Sequence, residues 1–416
     1  MSLKARRYQQ KLLKQARKKS DPSAILHEVL KLYQSGNLEL ALKICQTILT
    51  VHSQHPDVLS LTGSIYLNLE QTAKSVKCLR AVTRILPDSA QAHYNLGTAL
   101  TAHGEPDEAI CSHCFALKLK PDYPEALFNL GNACRQADKM GAALMNYRKV
   151  LALVPDYPGA ATNLASCLLE LGQAQQALEA CEAALQFHPA DRDALAFKAI
   201  AASEVGDPDT AAAILDMDRL IQTKQFTVAD GFESLAALNQ ALAVHVLAHP
   251  TLTREAHNIA TRFGQQTGNL ALEPKGPIAQ LEAMIIAAYD EYMNGLADAV
   301  DHPYVQQIPP LRKIDIWGTV LDNLGHQAAH MHRSAWVSGV YYVQLPDIMH
   351  DSNESQAGWI EFGCLPDNFI CSSRPNVRLF KPQEGQMLLF PAFAYHRTIP
   401  FESNQKRISI AFDLLA

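Results

Sequence analysis

The sequence predicts a multidomain chain: an all-α repeat array, then an all-β sandwich or barrel with helices packed on one side. Three observations carry that prediction. Prolines recur at a fixed step through the first half, the step stops near residue 220, and beyond Pro310 short β-branched and aromatic segments alternate with turn residues. At 416 residues, with 48% hydrophobic and 19% charged content, the chain can bury a core in each of two or three units.

The first element is a basic leader, residues 1–20 (MSLKARRYQQKLLKQARKKS), with eight Lys or Arg and no acid. It reads as a solvated helix with Tyr8, Leu12, Leu13 and Ala16 on one side, a phosphate-binding or targeting arm being the other reading. It lacks the apolar stretch of a secretory signal. Against a net charge of −6, the leader leaves −14 for the remainder, so the acidic body argues against nucleic-acid binding. Nine scattered cysteines point to a reducing compartment, and a cytoplasmic protein is expected. No run approaches the length of a membrane span; IIAAYDEYM near 285 is too short and carries acids. Cys111 and Cys114 share a helix face without a second pair to complete a zinc site, which reads as packing.

Residues 21–220 hold the repeats. Pro87, Pro121, Pro155 and Pro189 are 34 residues apart each time. Asn95-Leu96-Gly97, Asn129-Leu130-Gly131 and Asn163-Leu164-Ala165 recur in phase, with Gly63 one step earlier. Ala41, Ser75, Ala109, Ala143, Ala177 and Ala211 form a small-residue column, and Gly36, Gly104, Gly172 and Gly206 fall where a turn is needed. Such columns describe a helix, a tight turn, a second helix and a proline-marked exit, each hairpin burying its apolar face only against its neighbours. The segment resembles about six tetratricopeptide repeats, without the early Trp of that family and with Leu61 to Leu86 as the loosest copy. The resemblance implies a curved array whose groove holds a protein or peptide partner. Asn95, Asn129 and Asn163 are candidate polar contacts there, with helix–helix hydrogen bonding as the alternative.

Residues 221–310 read as a helical connection: a helical period from Phe232 to Val246, a glycine-containing loop TRFGQQTGNL at 261–270, and an amphipathic helix around Ile278 to Leu296. Residues 311–416 read as the β core, in IDIWGTVLD, WVSGVYYVQL, GWIEF, VRLF, QMLLF and RISIAFDLL.

Within that core, His330 and His332 stand two residues apart, so on an extended chain their rings face one way and converge. A third ligand must come from elsewhere. His396, at another strand edge, is the candidate; His326 and His350 are competitors, the latter in a polar loop. Arg407 and Ser409 alternate onto one face of the last strand, where a guanidinium and a hydroxyl can grip a carboxylate. A buried Arg asks for an acid partner, and an internal salt bridge to Glu361, Asp315 or Asp413 is the other explanation.

These segments in this order resemble the double-stranded β-helix (jelly-roll, cupin-like) Fe(II) and 2-oxoglutarate oxygenases. More closely, His330-Met331-His332, SGVYYV, GWIEFG, GQMLLFP, His396-Arg397-Thr398 and RISIAFD are similar to a bacterial subfamily with H-x-H before an SGvYY strand, a likeness covering about residues 225–416. The resemblance implies iron held by His330, His332 and His396, 2-oxoglutarate and O₂ as co-substrates, ascorbate as an accessory reductant, and Arg407 with Ser409 on the far carboxylate of 2-oxoglutarate. Tyr341 or Tyr342 and Thr398 are further candidate contacts, core packing being the other reading of the tyrosines. Trp317, Trp336 and Trp359 read as packing. Most members of the broad superfamily have Asp where this chain has His332, so either three histidines ligate or a carboxylate such as Glu361 or Asp322 completes the set. Arg333 stands where the subfamily usually has proline.

The leading expectation is a hydroxylase whose repeats present a polypeptide to the β core. The alternatives are a non-catalytic scaffold with a degenerate β domain and a three-histidine cupin-type dioxygenase that does not use 2-oxoglutarate. A Walker loop, G-x-G-x-x-G, G-x-S-x-G and H-E-x-x-H are all missing from the sequence, which leaves nucleotide, serine-hydrolase and zincin chemistry without a foothold.

Overall fold

The computed structural model describes residues 3–16, 22–254, 260–272, 274–349 and 356–415. The chain divides into two compact units, 1–167 and 168–416, so the division falls inside the repeats.

In the first unit, paired helices follow the 34-residue step, for example Ala90–His103 with Pro106–Leu119 and Pro124–Gln136 with Met140–Leu153. The turn inside each hairpin needs one left-handed residue. That residue recurs in phase as Gly36 (φ 77°), Glu70 (57°), Gly104 (82°) and Asp138 (58°), and the second unit continues it with Gly172 (68°) and Gly206 (86°). Close approach explains the other glycine column. A Cβ on Gly97 would lie 2.6 Å from the His113 ring, and one on Gly131 would lie 2.6 Å from the Tyr147 ring. The leader is not simply solvated: within the helix Leu3–Ala16, Leu12 and Ala16 are buried in one cluster with Ile25, Val29, Ile44 and Ile48.

The second unit begins with the last repeat helices, Ala174–Phe187, Arg192–Glu204 and Pro208–Leu215. Among the described residues ten strands follow: β1 (Gln222–Gln225), β2 (Thr253–Arg254), β3 (Thr261–Gln266), β4 (Lys313–Gln327), β5 (Val337–Gln344), β6 (Ile360–Phe362), β7 (Arg378–Phe380), β8 (Gln386–Pro391), β9 (His396–Thr398) and β10 (Arg407–Leu415). They form a seven-stranded antiparallel sheet, β1-β8-β5-β10-β4-β3-β2, and a three-stranded antiparallel sheet, β7-β6-β9, consistent with a jelly roll. The six segments read as strands from the sequence are β4, β5, β6, β7, β8 and β10. The helices Leu235–Ala248 and Ile278–Gly295 form where the apolar period placed them.

One expectation fails. TRFGQQ is strand β3, not a loop. Its glycine marks a bulge: the register against β4 shifts between Arg262 and Gly264, Phe263 has φ 49°, and a Cβ at Gly264 would sit 2.6 Å from the Val320 carbonyl oxygen. The stretch taken as helical connection also supplies β1 and β2, two edge strands whose polar residues carry no alternating apolar signal.

Candidate metal centre

β10 lies between β4 and β5, and register sets what faces inward. Ser409 sits opposite Thr319 on β4 and Tyr342 on β5; Ala411 opposite Trp317 and Val340; Asp413 opposite Asp315 and Ser338. Alternation therefore puts Arg407, Ser409, Ala411 and Asp413 on one face, together with Tyr342.

The three histidines meet at one end of this face. His330 and His396 form an antiparallel bridge and exchange both backbone hydrogen bonds, at 3.0 and 2.9 Å. The His332 backbone N–H donates to the Ala392 carbonyl at 2.9 Å. Each ring offers one nitrogen, and these nitrogens lie within 4.8 Å of one another.

Hydrogen bonding fixes which nitrogen is free. His330 Nδ1 lies 2.8 Å from the Ala328 carbonyl and His396 Nδ1 3.0 Å from the Ala394 carbonyl. A carbonyl only accepts, so both Nδ1 atoms carry the proton and Nε2 presents its lone pair. His332 Nδ1 donates to Asp413 Oδ1 at 2.7 Å, and the same oxygen accepts from Ser338 Oγ at 2.6 Å. This is the carboxylate–histidine arrangement that orients metal ligands. Trp317 stacks on the His332 ring, with centroids 5.7 Å apart. Burial, and secondly the His332 neighbour, brings His330 down to about 4; burial, then His330 and His332, holds His396 well below the ordinary histidine value. Both rings are neutral near pH 7, as ligation requires.

Further along the face is Arg407, 1% exposed. Its Nη1 donates to Ser409 Oγ at 3.2 Å and its guanidinium lies 5.1 Å from the Tyr342 ring centroid. Among the described residues no carboxylate pairs with it. The three acids considered from the sequence are engaged elsewhere: Glu361 with Arg397 at 3.0 Å, Asp315 with Lys313 at 2.8 Å, and Asp413 with His332. Burial accordingly draws the guanidinium below its ordinary value, with Tyr342 opposing.

Several sequence candidates lie outside the cluster. Tyr341 is on the opposite face of β5, where its hydroxyl donates to Asn239 Oδ1 at 2.7 Å; the tyrosine beside Arg407 is Tyr342. Glu361 and Asp322 do not join the histidines. Glu361 alternates away from the His396 face of the small sheet, and Asp322 pairs with Arg254 at 2.6 Å. His326 is held by the Leu324 carbonyl and the Phe263 ring. His350 lies outside the described residues. Thr398 is buried on the His396 side of β9, opposite Ile360. Asp413 is the residue whose place beside His332 went unread. The alternation Arg407, Ser409, Ala411, Asp413 already put it on the right face.

The donor set fits a divalent transition metal. The inward face also carries buried polar atoms with no hydrogen-bond partner, His332 Nε2, Thr319 Oγ1 and Arg407 Nε, which is the pattern a polar ligand would complete.

Fold and site together define a repeat array followed in the chain by a jelly-roll-type β domain with a three-histidine cluster. Residues 315–413 match the family described as "Putative 2OG-Fe(II) oxygenase", and residues 60–114 and 141–194 match the tetratricopeptide repeat family. The chain thus carries a tetratricopeptide-repeat region and, C-terminally, a region that matches the 2-oxoglutarate-Fe(II) oxygenase family model. No curated protein matches the chain. Similar solved structures include "Functional Characterization of Pseudomonas Aeruginosa pilF" (21% identity, TM-score 0.43, covering 50% of this chain and 92% of that one). "Crystal structure of PilW, widely conserved type IV pilus biogenesis factor" is alike at 21% identity and TM-score 0.43, covering 46% and 89%. "Crystal structure of YrrB: a TPR protein with an unusual peptide-binding site" has 22% identity and TM-score 0.36, covering 40% and 86%. At these scores the likenesses carry no functional argument. No helix among the described residues is long and apolar enough to cross a membrane.

Proposed function

We propose that the chain is an Fe(II)- and 2-oxoglutarate-dependent hydroxylase, with His330, His332 and His396 holding the metal and Arg407 with Ser409 gripping the far carboxylate of 2-oxoglutarate. The observation that carries this reading is Arg407, fully buried with no acid partner among the described residues, on the face that ends at the three histidines. A buried cation left unpaired is costly, and a dicarboxylate is the ligand that removes the cost. A cupin-type dioxygenase acting without 2-oxoglutarate has no use for it.

Iron with 2-oxoglutarate and O₂ supplies the oxidising chemistry, releasing succinate and CO₂ as a C–H bond is hydroxylated. The chain's own residues place and shield. Asp413 and Ser338 keep the His332 proton on Nδ1, and the Ala328 and Ala394 carbonyls do the same for His330 and His396. Phe390 and Phe362, each within 6 Å of the His396 ring, keep water from that side. The repeats supply a protein or peptide substrate, raising its local concentration.

The test is succinate formation from 2-oxoglutarate with Fe(II), ascorbate and O₂, without added substrate, beside His396→Ala and Arg407→Ala. Activity lost in the first variant, and recovered in the second only at much higher 2-oxoglutarate, is expected. If succinate forms equally in all three proteins, the reading is wrong. If none forms and anaerobic absorption detects no Fe(II)–2-oxoglutarate complex, the non-catalytic scaffold replaces it.

A further inference from the structure

We propose that the last repeat hairpin is a working part of the metal centre, with Asp193 as a positioning residue that holds His332 through Arg333. The inference rests on the three-histidine reading above and goes beyond it, because it assigns a repeat residue to the site rather than to recruitment.

Residues 332–336 connect His332 to β5 as an irregular turn. Its backbone is tied at its two ends: the His332 N–H donates to the Ala392 carbonyl, and Trp336 donates its N–H to the Leu414 carbonyl at 3.1 Å while its own carbonyl accepts from the Ala392 N–H at 2.9 Å and from the Tyr304 hydroxyl. Between them the segment has no ladder to set its position, so side-chain contacts must. At Trp336 the Tyr304 ring stacks from one side, with centroids 5.8 Å apart, and the contacts that reach Arg333 come from the helix Arg192–Glu204. Its N-terminal turn is fixed by Asp191, which accepts from the Ala194 N–H at 3.0 Å. The next two residues both grip the turn. The Arg192 guanidinium carbon lies over Trp336, 4.6 Å from the ring centroid, and Asp193 pairs with Arg333 Nη1 at 3.0 Å. One helical turn on, the Phe197 ring lies under the same Arg333 guanidinium at 5.8 Å. Arg333 is the residue immediately after a ligand, so its side chain fixes the backbone from which the His332 ring hangs.

A second anchor holds the far end of the helix. Glu204 accepts from the backbone N–H groups of Ser372 and Ser373, at 2.7 and 2.8 Å, and from both serine hydroxyls. Ser372 and Ser373 are neighbours in the chain of none of the three histidines. The two ends therefore separate docking of the helix from positioning of the ligand. The stiffness of this turn comes from the Asp193 pair. An ion pair with one half-exposed partner contributes little to global stability. Its effect is expected at the ligand, where supporting residues alter metal affinity by roughly 10–100-fold.

The experiment titrates Co(II) into metal-free full-length protein, followed by visible absorption, for the native chain, Asp193→Asn, Arg333→Gln, the double variant and Glu204→Gln, each with its melting temperature. Asp193→Asn and Arg333→Gln should each weaken Co(II) binding about tenfold, and the double variant no further, because both remove one grip. The sign at Arg333 is diagnostic: deleting a nearby positive charge would by electrostatics alone tighten cation binding, so a loss reports positioning. Glu204→Gln should lower the melting temperature and leave Co(II) affinity unchanged. Native affinity in both single variants, additive losses in the double variant, or an equal loss in Glu204→Gln would each overturn the proposal. No Co(II) binding by the native chain would overturn the metal centre itself.

Discussion

Replacing Arg407 with methionine is expected to stabilise the ligand-free protein and to abolish its response to 2-oxoglutarate. Arg407 is 1% exposed, its Nη1 donates to Ser409, and no acid among the described residues answers its charge. Exchanging an uncompensated buried charge for an apolar side chain of similar volume gains about 1–4 kcal/mol in comparable cores. For a unit of this size that raises the melting temperature by roughly 2–4 °C per kcal/mol. With ligand the order reverses. At 100 times its dissociation constant, 2-oxoglutarate adds about 2.7 kcal/mol to the native protein. Removing one side of a buried, hydrogen-bonded charge pair costs about 2–5 kcal/mol, or roughly 30- to 4,000-fold in affinity. At the same concentration the variant would then gain less than about 1 kcal/mol. The assay is thermal unfolding of both proteins with Mn(II), with and without 2-oxoglutarate. A variant that melts several degrees lower without ligand yet keeps the full 2-oxoglutarate shift would refute the argument, since Arg407 would then be structural and the co-substrate would bind elsewhere.

Asp413→Asn exchanges the acceptor of the His332 Nδ1 proton for a group that can turn its amide toward the ring, and Co(II) affinity should fall roughly 10–100-fold with the melting point little changed. His113 is fully buried with neither nitrogen bonded, and burial brings it from 6.5 to about 4. Because the unfolded ring binds a proton that the folded one refuses, stability should be full above pH 6.5 and fall by about 3 kcal/mol on acidification to pH 4, then level off. In His113→Leu, which copies Leu79 over Gly63, the urea midpoint should lose that slope between pH 7 and 4.5. Glu70→Gly relieves a left-handed backbone at the one hairpin turn held by a long side chain, and should raise stability to urea by about 0.5–1 kcal/mol.

The repeat step was legible because its causes are local. A left-handed turn residue every 34 positions, and a glycine under each large ring, leave marks that a sequence displays directly. That His330 and His332 face one way was legible for a similar reason, since residues two apart share a face on an extended chain, though the spacing alone does not say whether they ligate. What escaped depends on register. Tyr341 and Tyr342 differ only in which face of β5 is inward, and that is decided by pairing with β10 across a bulge between Ile408 and Ser409. The strand at 261–266 escaped because its glycine serves a bulge rather than a turn. β1, as Gln-Thr-Lys-Gln, is a strand only because the edge of β8 is there to pair with it.

The reciprocal bridge between His330 and His396 has a consequence for how the centre meets an ion. Two of its three rings hang from a ladder already complete in backbone hydrogen bonds, so their separation is that of neighbouring strands and does not wait for a metal to define it. Zinc fingers are the opposite case, where chelation collapses the domain. Here the backbone spacing of the two rings is set before any ion arrives, so on the proposed reading stripping the ion should leave both sheets standing, and ions of different size should compete for one gauge set by the strands.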